Sequence, residues 1–116
     1  MDFSILEEFR KNLGAESFAV LLEQCVIDCQ TCLEEIQSGL RNQNLQQVTD
    51  AVHKLKAISG SFGMNELYEP VFALNNKAKT LKSVDEELSL VLEVLHLLEI
   101  NLMNLRDYQI GLHSRV

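Results

Sequence analysis

The chain has 116 residues, of which 47% are hydrophobic, with one proline, five glycines and no tryptophan. This length predicts one domain with a single modest core. A formal net charge of −7 argues against a nucleic-acid or anionic-membrane partner, because both are bound chiefly by clustered Lys and Arg.

The first half of the chain has the apolar spacing of two helices. A short helix is predicted over residues 3–13, ending at Gly14, a common residue after a helix C-terminus. A longer helix is predicted over residues 15–40. The N-terminus lacks the basic flank and long apolar region of a signal peptide, and the apolar runs of the chain are interrupted by charge. We therefore expect neither a leader nor a membrane span, and a cytoplasmic location.

Three cysteines in the second helix, Cys25, Cys29 and Cys32, have the spacing of a radical-SAM iron–sulfur motif. Spacings of four and seven residues also place them on one helix face, among apolar neighbours such as Leu22 and Ile36. The cluster would need a loop that wraps the metal and a barrel fold of ~200–250 residues. We interpret the cysteines as buried core thiols, with redox sensing as the remaining alternative.

The third helix, predicted over residues 45–62, has two different sides when wound at roughly 100° per residue. One side carries the residues that a bundle would bury: Val48, Ala51, Val52, Leu55, Ile58, Ser59 and Phe62. His53 falls on the opposite side, which faces solvent. The residues around it are one cation and otherwise small or uncharged groups: Gln46, Thr49, Lys56, Ala57 and Gly60. An exposed imidazole in an open patch indicates a nucleophile rather than a core histidine.

Two more helices are predicted after Gly63. The first is expected to have Asn65 as its N-cap, and the second, over residues 84–108, to have Ser83 as its N-cap. The last helix has apolar residues at bundle spacing: Leu88, Val91, Leu92, Leu95, Leu98, Leu102 and Leu105. Residues 109–116 are expected to be a disordered tail. The pattern predicts an all-α, antiparallel up-down four-helix bundle, with the short N-terminal helix as a lid.

The run from His53 to Gly63, His-Lys-Leu-Lys-Ala-Ile-Ser-Gly-Ser-Phe-Gly, resembles the histidine-containing phosphotransfer (HPt) domain family. The family pattern is His-x-(Leu/Ile)-Lys-(Gly/Ala), then small residues and a Gly ten positions after the His. The residues that fill these positions are His53, Leu55, Lys56, Ala57 and Gly63. Ala57 stands where Gly is commoner, and Asn75 stands where the family often has a Gln that hydrogen-bonds the imidazole. In length and helix order the resemblance covers nearly the whole chain.

The resemblance implies a stand-alone carrier of a bacterial multistep phosphorelay, without kinase or ATP-binding machinery. His53 would be the phosphoacceptor, and Lys56 would point its ammonium at the phosphoryl oxygens. Lys79 would be a weaker candidate for the same role. Asn75 would either orient the imidazole or face water.

The same resemblance implies the partners. They would be the receiver domain of a response regulator and the receiver domain of a hybrid sensor kinase. The receiver would bring the Mg²⁺ and the acceptor Asp, so the chain itself would need no cofactor or metal. Gln46, Thr49, Ala57 and Gly60 would form the docking surface around His53. We expect a monomer.

Two other functions remain open. A fragment of a histidine kinase would show an acidic residue directly after the His, where Lys54 stands, and no ATP-binding domain fits in this length. A helical adaptor would bind a receiver or kinase partner through the same patch without carrying phosphate. His96 and His113 have no basic or small-residue setting, and the three histidines are too scattered for a zinc site.

Overall fold

The computed structural model describes residues 1–114. The helices are α1 (Phe3–Leu13), α2 (Ala15–Arg41), α3 (Leu45–Ser61), α4 (Asn65–Lys77) and α5 (Leu88–Ser114), with a 3-10 helix, Val84–Glu87, before α5. The described residues contain no strand. The all-α prediction is therefore confirmed, and α1 has the predicted bounds.

The four long helices form the predicted antiparallel bundle. α2 packs against α3 and α5, and α4 packs against the same two helices. Each helix reverses direction after a short connection, so the chain runs up and down through a body of 49 × 22 × 18 Å. α1 is the additional helix and packs against α2.

The rotation of α3 about its axis is the one that the apolar spacing predicts. Its buried residues are Val48, Ala51, Val52, Leu55 and Ser59, and Ile58 and Phe62 are half-buried. The hydroxyl of Ser59 donates to the carbonyl of Leu55 at 2.6 Å, so its burial leaves no unpaired donor. With this side buried, His53 lies exposed on the other side.

The turn from α3 to α4 needs a glycine at position 63. Its φ of +71° lies in the left-handed region, which residues with a Cβ rarely adopt. A Cβ would also lie 2.9 Å from the carbonyl oxygen of Asp2 and 2.9 Å from Cδ1 of Ile5. The N–H of Asp2 donates to the carbonyl of Gly63 at 2.8 Å. α1 therefore covers this end of the bundle, ten residues or about 15 Å along α3 from His53.

One of the two expected N-caps differs from the one observed. Asn65 is the first residue of α4, and Met64 takes the cap position. The reason is that one turn both ends α3 and begins α4. The N–H of Met64 donates to Ser59 at 3.0 Å, and the carbonyl of Met64 accepts from Tyr68 at 2.9 Å. Ser83 takes the predicted N-cap position, before the 3-10 helix that leads into α5, but its side chain makes no capping hydrogen bond.

The prediction of a disordered tail from residue 109 is wrong over residues 109–114, which continue α5. Contacts between helices stabilise this end. The hydroxyl of Tyr108 donates to Glu7 on α1, and the amide of Gln109 donates to Glu23 on α2. Leu112 is half-buried against the core. The last two residues of the predicted tail, 115 and 116, lie outside the described residues.

α5 is apolar around most of its circumference, and this makes its predicted buried stripe partly wrong. The residues that it buries are Val91, Val94, Leu98, Asn101, Leu102 and Leu105. Leu88 is 39% exposed and Leu92 is 51% exposed, because they lie on the outer side of the face centred on Leu98. Spacing alone does not choose a face when leucines occupy several.

The stretch Val84–Leu112 is long and apolar enough to cross a membrane by length and composition, because an 18-residue window within it has a mean hydropathy of 1.5. One such stretch is weak evidence for a membrane span and does not overturn the sequence-based expectation of none. The core helix of a water-soluble bundle passes the same test. Here Val94, Leu98 and Leu105 are fully buried against the other helices. The stretch therefore does not by itself indicate a membrane protein.

Candidate functional site

The candidate site lies where α3 and α4 run antiparallel, on the side away from the core. Three pairs of residues join the two helices there, and successive pairs are about one helical turn apart. Because the helices are antiparallel, the residue number rises on α3 as it falls on α4. The pairs are Gly60 with Tyr68, Lys56 with Phe72, and His53 with Asn75. The pairing thus brings the predicted site residue Asn75 to His53, while Lys56 lies one turn from His53 on the same helix.

His53 and Asn75 contact each other directly. Nδ1 of His53 lies 3.4 Å from Oδ1 of Asn75, and the Asn side chain is half-buried while the imidazole is exposed. An amide oxygen only accepts, so this contact is a hydrogen bond when Nδ1 carries the proton. In that tautomer Nε2 has the free lone pair and points away from Asn75. The arrangement leaves a nucleophilic nitrogen open to an incoming group.

The ammonium of Lys56 lies over an aromatic ring. Its Nζ is 5.2 Å from the centroid of Phe72, within the range of a cation–π contact. The Phe72 ring is in turn 5.8 Å from that of Tyr68. Sequence reasoning missed both aromatic residues. Their signal was available: two aromatics four residues apart lie on one face of a helix, and α4 follows α3 after a short turn.

Gly60 is exposed, and its missing side chain makes room for Tyr68. A Cβ at this position would lie 3.3 Å from Cε2 and 3.6 Å from Cδ2 of that ring. The glycine therefore has a packing partner on α4, which the sequence did not reveal. Ala57, one turn before it and also exposed, adds only a methyl group to the surface beside His53.

The other predicted site residues make no hydrogen bond to His53 in the described part of the chain. The amide of Gln46 donates to Asp50 at 2.7 Å, and the hydroxyl of Thr49 donates to the carbonyl of Gln46 at 3.2 Å. Both lie on the first turns of α3. Lys79 is exposed just beyond the end of α4. Among residues 1–114 it takes part in no ion pair.

The remaining histidines lie elsewhere. His96 is exposed on α5, and the side chain of His113 lies outside the described residues. Among residues 1–114, no three His, Cys, Asp or Glu side chains are grouped so that they could hold a metal ion.

The three cysteines are free and lie in the core, as the helical spacing predicts. A hydrogen bond with Cys25, together with burial, raises the pKa of the Cys29 thiol. Burial raises the pKa of Cys32 to about 12. Thiols held in the neutral form are poor nucleophiles and poor metal ligands. Their surroundings are those of packing residues.

Comparison with known proteins adds independent information. The sequence model of one family, described as the Hpt domain, matches residues 20–107. Among solved structures, the chain is similar to histidine-containing phosphotransfer protein B (HptB) from Pseudomonas aeruginosa PAO1, with a TM-score of 0.78 and 17% sequence identity. That match covers 96% of this chain and 95% of the other. At this identity it shows the fold alone. A comparison with curated proteins found no match.

Proposed function

The chain belongs to the Hpt domain family, the phosphotransfer proteins of phosphorelays, and on that premise we propose that it carries a phosphoryl group on His53. The group would come from the aspartate of one receiver domain and leave to the aspartate of another. The observation that supports this most is the exposed imidazole with Asn75 at Nδ1 and the Lys56 ammonium one turn away.

In the forward step, Nε2 attacks the phosphorus of the aspartyl phosphate. The N–P bond forms as the P–O bond to the receiver breaks, and the bonding pair leaves on the Asp carboxylate. In the return step a second carboxylate attacks, the N–P bond breaks, and its electron pair returns to the imidazole. Phosphoryl transfer depends mainly on positioning and charge neutralisation, so a small bundle with one reactive side chain is sufficient on the carrier's side.

The proposal assigns the rest of the machinery to the partner. The receiver domain supplies the Mg²⁺ and the acceptor Asp, so the carrier holds no cofactor and no nucleotide. The partners are the receiver of a response regulator and that of a hybrid sensor kinase, met by a monomer in the cytoplasm. They dock on the surface around His53 that is formed by exposed Gln46, Ala57 and Gly60 and by half-buried Thr49.

The test is transfer from receiver domains of the source organism, each phosphorylated with acetyl phosphate. The wild-type protein should gain one phosphoryl mass that is stable to base and labile to acid, as expected of phosphohistidine. His53→Gln should abolish the gain while changing the free energy of unfolding by within ~0.5 kcal/mol, because the side chain is exposed.

His96→Gln is the matched control, since His96 is also an exposed histidine on a bundle helix. It should be labelled like the wild-type protein. Phosphate retained by the His53→Gln variant would move the site to another residue. Binding to a receiver without any phosphate on the wild-type protein would instead support a helical adaptor.

A further inference from the structure

Lys56 lies one helical turn after the proposed phosphoacceptor, and its ammonium contacts a ring rather than a carboxylate. The chain has 17 acidic residues and 10 basic ones. In the described part, Lys54 pairs with Glu35 at 3.8 Å and Lys77 pairs with Glu87 at 2.9 Å. Lys56 takes part in no ion pair there, and its ammonium lies over Phe72 instead.

The ring under this ammonium is fixed by its neighbours. Gly60 has no Cβ, so the ring of Tyr68 packs directly against α3. The Tyr68 ring then lies 5.8 Å from that of Phe72, with 33° between their planes. Phe72 is 41% exposed, and one of its faces is covered by the Lys56 ammonium. Four residues on two helices thus form one connected set of contacts.

We propose that Phe72 is a positioning residue that acts through Lys56: its ring holds the ammonium while His53 is unphosphorylated and releases it to the phosphoryl oxygens once His53 is phosphorylated. This inference rests on the proposed function. Because the cation–π contact stabilises only the unphosphorylated protein, it lowers the affinity of His53 for the phosphoryl group. Phe72 would therefore favour passing the phosphoryl group onward over keeping it.

The proposed movement of the Lys56 ammonium is small. Its direction follows from the relative strengths of its contacts with the ring and with the phosphoryl group. Lys56 lies three residues after His53 on the same helix, where side chains are neighbours. Its four-carbon stem is flexible, so the ammonium can turn from the ring to the imidazole without a change in the backbone. A charge-assisted hydrogen bond to a phosphoryl oxygen is stronger than an exposed cation–π contact. The ammonium should therefore leave the ring when the phosphoryl group arrives.

The simpler interpretation is that the lysine stem merely lies across an exposed ring, as long cationic side chains often do. In that case Phe72 would have no effect on phosphorylation. The two interpretations predict different effects of Phe72 on the equilibrium constant of phosphoryl transfer. At equilibrium, any effect of Phe72 on docking cancels, because docking speeds the forward and return steps alike.

The experiment measures the equilibrium constant between a phosphorylated receiver domain and this protein. Phe72→Leu should shift it toward phosphorylated His53 by about two- to fivefold, the factor that corresponds to an exposed cation–π contact. Phe72→Tyr, which keeps a ring, should match the wild-type protein. Phe3→Leu is the matched control, because Phe3 is 40% exposed and stacks on Tyr108 instead.

A double-mutant cycle tests whether the effect acts through Lys56. In the Lys56→Ala background, Phe72→Leu should no longer change the equilibrium constant. An equal shift in both backgrounds, or an unchanged constant in the single variant, would overturn the inference. If the wild-type protein accepts no phosphoryl group at all, the proposed function itself fails, so the two failures are distinguishable.

A measurement on the wild-type protein does not depend on any variant folding. In the unphosphorylated protein the Lys56 ε-methylene protons should show an upfield NMR shift from the Phe72 ring. Labelling with phosphoramidate, a small phosphodonor that needs no docking surface, should remove that shift. The ε-methylene of Lys77, paired with Glu87, is the internal reference. An upfield shift that persists after labelling would contradict release of the ammonium.

Discussion

At the scale of single residues, Lys56 carries the charge that the transferring group would meet. Under the proposed function, Lys56→Ala would remove a charge-assisted hydrogen bond to the phosphoryl group, a contribution of about 1.5–3 kcal/mol. We expect the rate of transfer from a phosphorylated receiver to fall about tenfold or more, measured in single-turnover experiments. The fold should be unaffected, because Lys56 fills no part of the core.

Lys54→Ala provides the control for net charge. Lys54 also lies on α3 beside His53, but its ammonium pairs with Glu35 on α2. Its removal should change the transfer rate far less. Equal losses in the two variants would mean that only the overall charge of the surface matters.

Asn75 is the residue that would fix the tautomer of His53. The contact is a neutral hydrogen bond between exposed and half-buried groups, and such bonds contribute about 0.5–1.5 kcal/mol. We expect Asn75→Ala to slow transfer by roughly two- to tenfold. In the Asn75→Ala variant the imidazole of His53 should also populate both neutral tautomers, which long-range ¹⁵N–¹H correlation spectra distinguish.

Two companions make this test specific. Asn76→Ala changes the adjacent exposed residue of α4 and should leave both the rate and the tautomer unaltered. Asn75→Gln keeps an amide that can reach the ring and should retain most of the rate. A tautomer unaffected by Asn75→Ala would show that the 3.4 Å contact has no orienting role.

At the scale of elements, the glycine at the α3–α4 turn joins α1 to the bundle. Gly63→Ala would place a Cβ 2.9 Å from the Asp2 carbonyl oxygen in a left-handed conformation. We expect a loss of about 2 kcal/mol or more in the free energy of unfolding, measured by urea denaturation. Transfer through His53 should persist in the folded fraction, because the turn is about 15 Å along the helix from the imidazole.

Gly111→Ala is the matched control for Gly63. Gly111 is a glycine within α5. Nothing lies within 4 Å of a Cβ added there, and its φ is not positive. Alanine in a helix is favoured over glycine by up to about 1 kcal/mol. The variant should therefore be as stable as the wild-type protein or slightly more stable. A comparable loss at both positions would mean that steric overlap with Asp2 is not the cause.

The helices of this chain were predictable where one face is apolar and the other polar. α3 is the best case, since its buried residues and the exposure of His53 follow from the spacing alone. α5 was predicted less well. Its leucines occupy several faces, and its last two turns depend on contacts of Tyr108 and Gln109 with α1 and α2. Such contacts join residues far apart in sequence, so no local pattern shows them.

At the scale of the whole molecule, the candidate site forms only because α3 and α4 are paired in one register. The sequence placed His53 and Lys56 on a common face and, through the family resemblance, suggested Asn75. It did not indicate that Phe72 faces Lys56 or that Gly60 accommodates Tyr68, because those pairings depend on how far one helix slides along the other. The register is set by the shared turn at Met64, where α3 ends and α4 begins.

The three cysteines make the opening of the whole bundle measurable. Cys25, Cys29 and Cys32 are 2%, 0% and 2% exposed, on the face of α2 that meets the other helices. Thiol reagents attack the thiolate, and the raised pKa of Cys29 and of Cys32 keeps these two thiols neutral near pH 7. A reagent in solution therefore needs the bundle to open before it can react.

We predict that native thiols react at least about a thousandfold more slowly than those of the denatured chain, because domains of this kind unfold at a cost of about 5–15 kcal/mol. The measurement is the rate of labelling by a chromogenic disulfide reagent at neutral pH. When opening and closing of the bundle are fast relative to labelling, the labelling rate is proportional to the unfolded population. Gly63→Ala should therefore raise the labelling rate and the unfolded population by the same factor. Rapid labelling of one thiol in the stable wild-type protein would show that a cysteine is reached by local motion of α2. That result would return the cysteines to consideration as redox-sensitive groups.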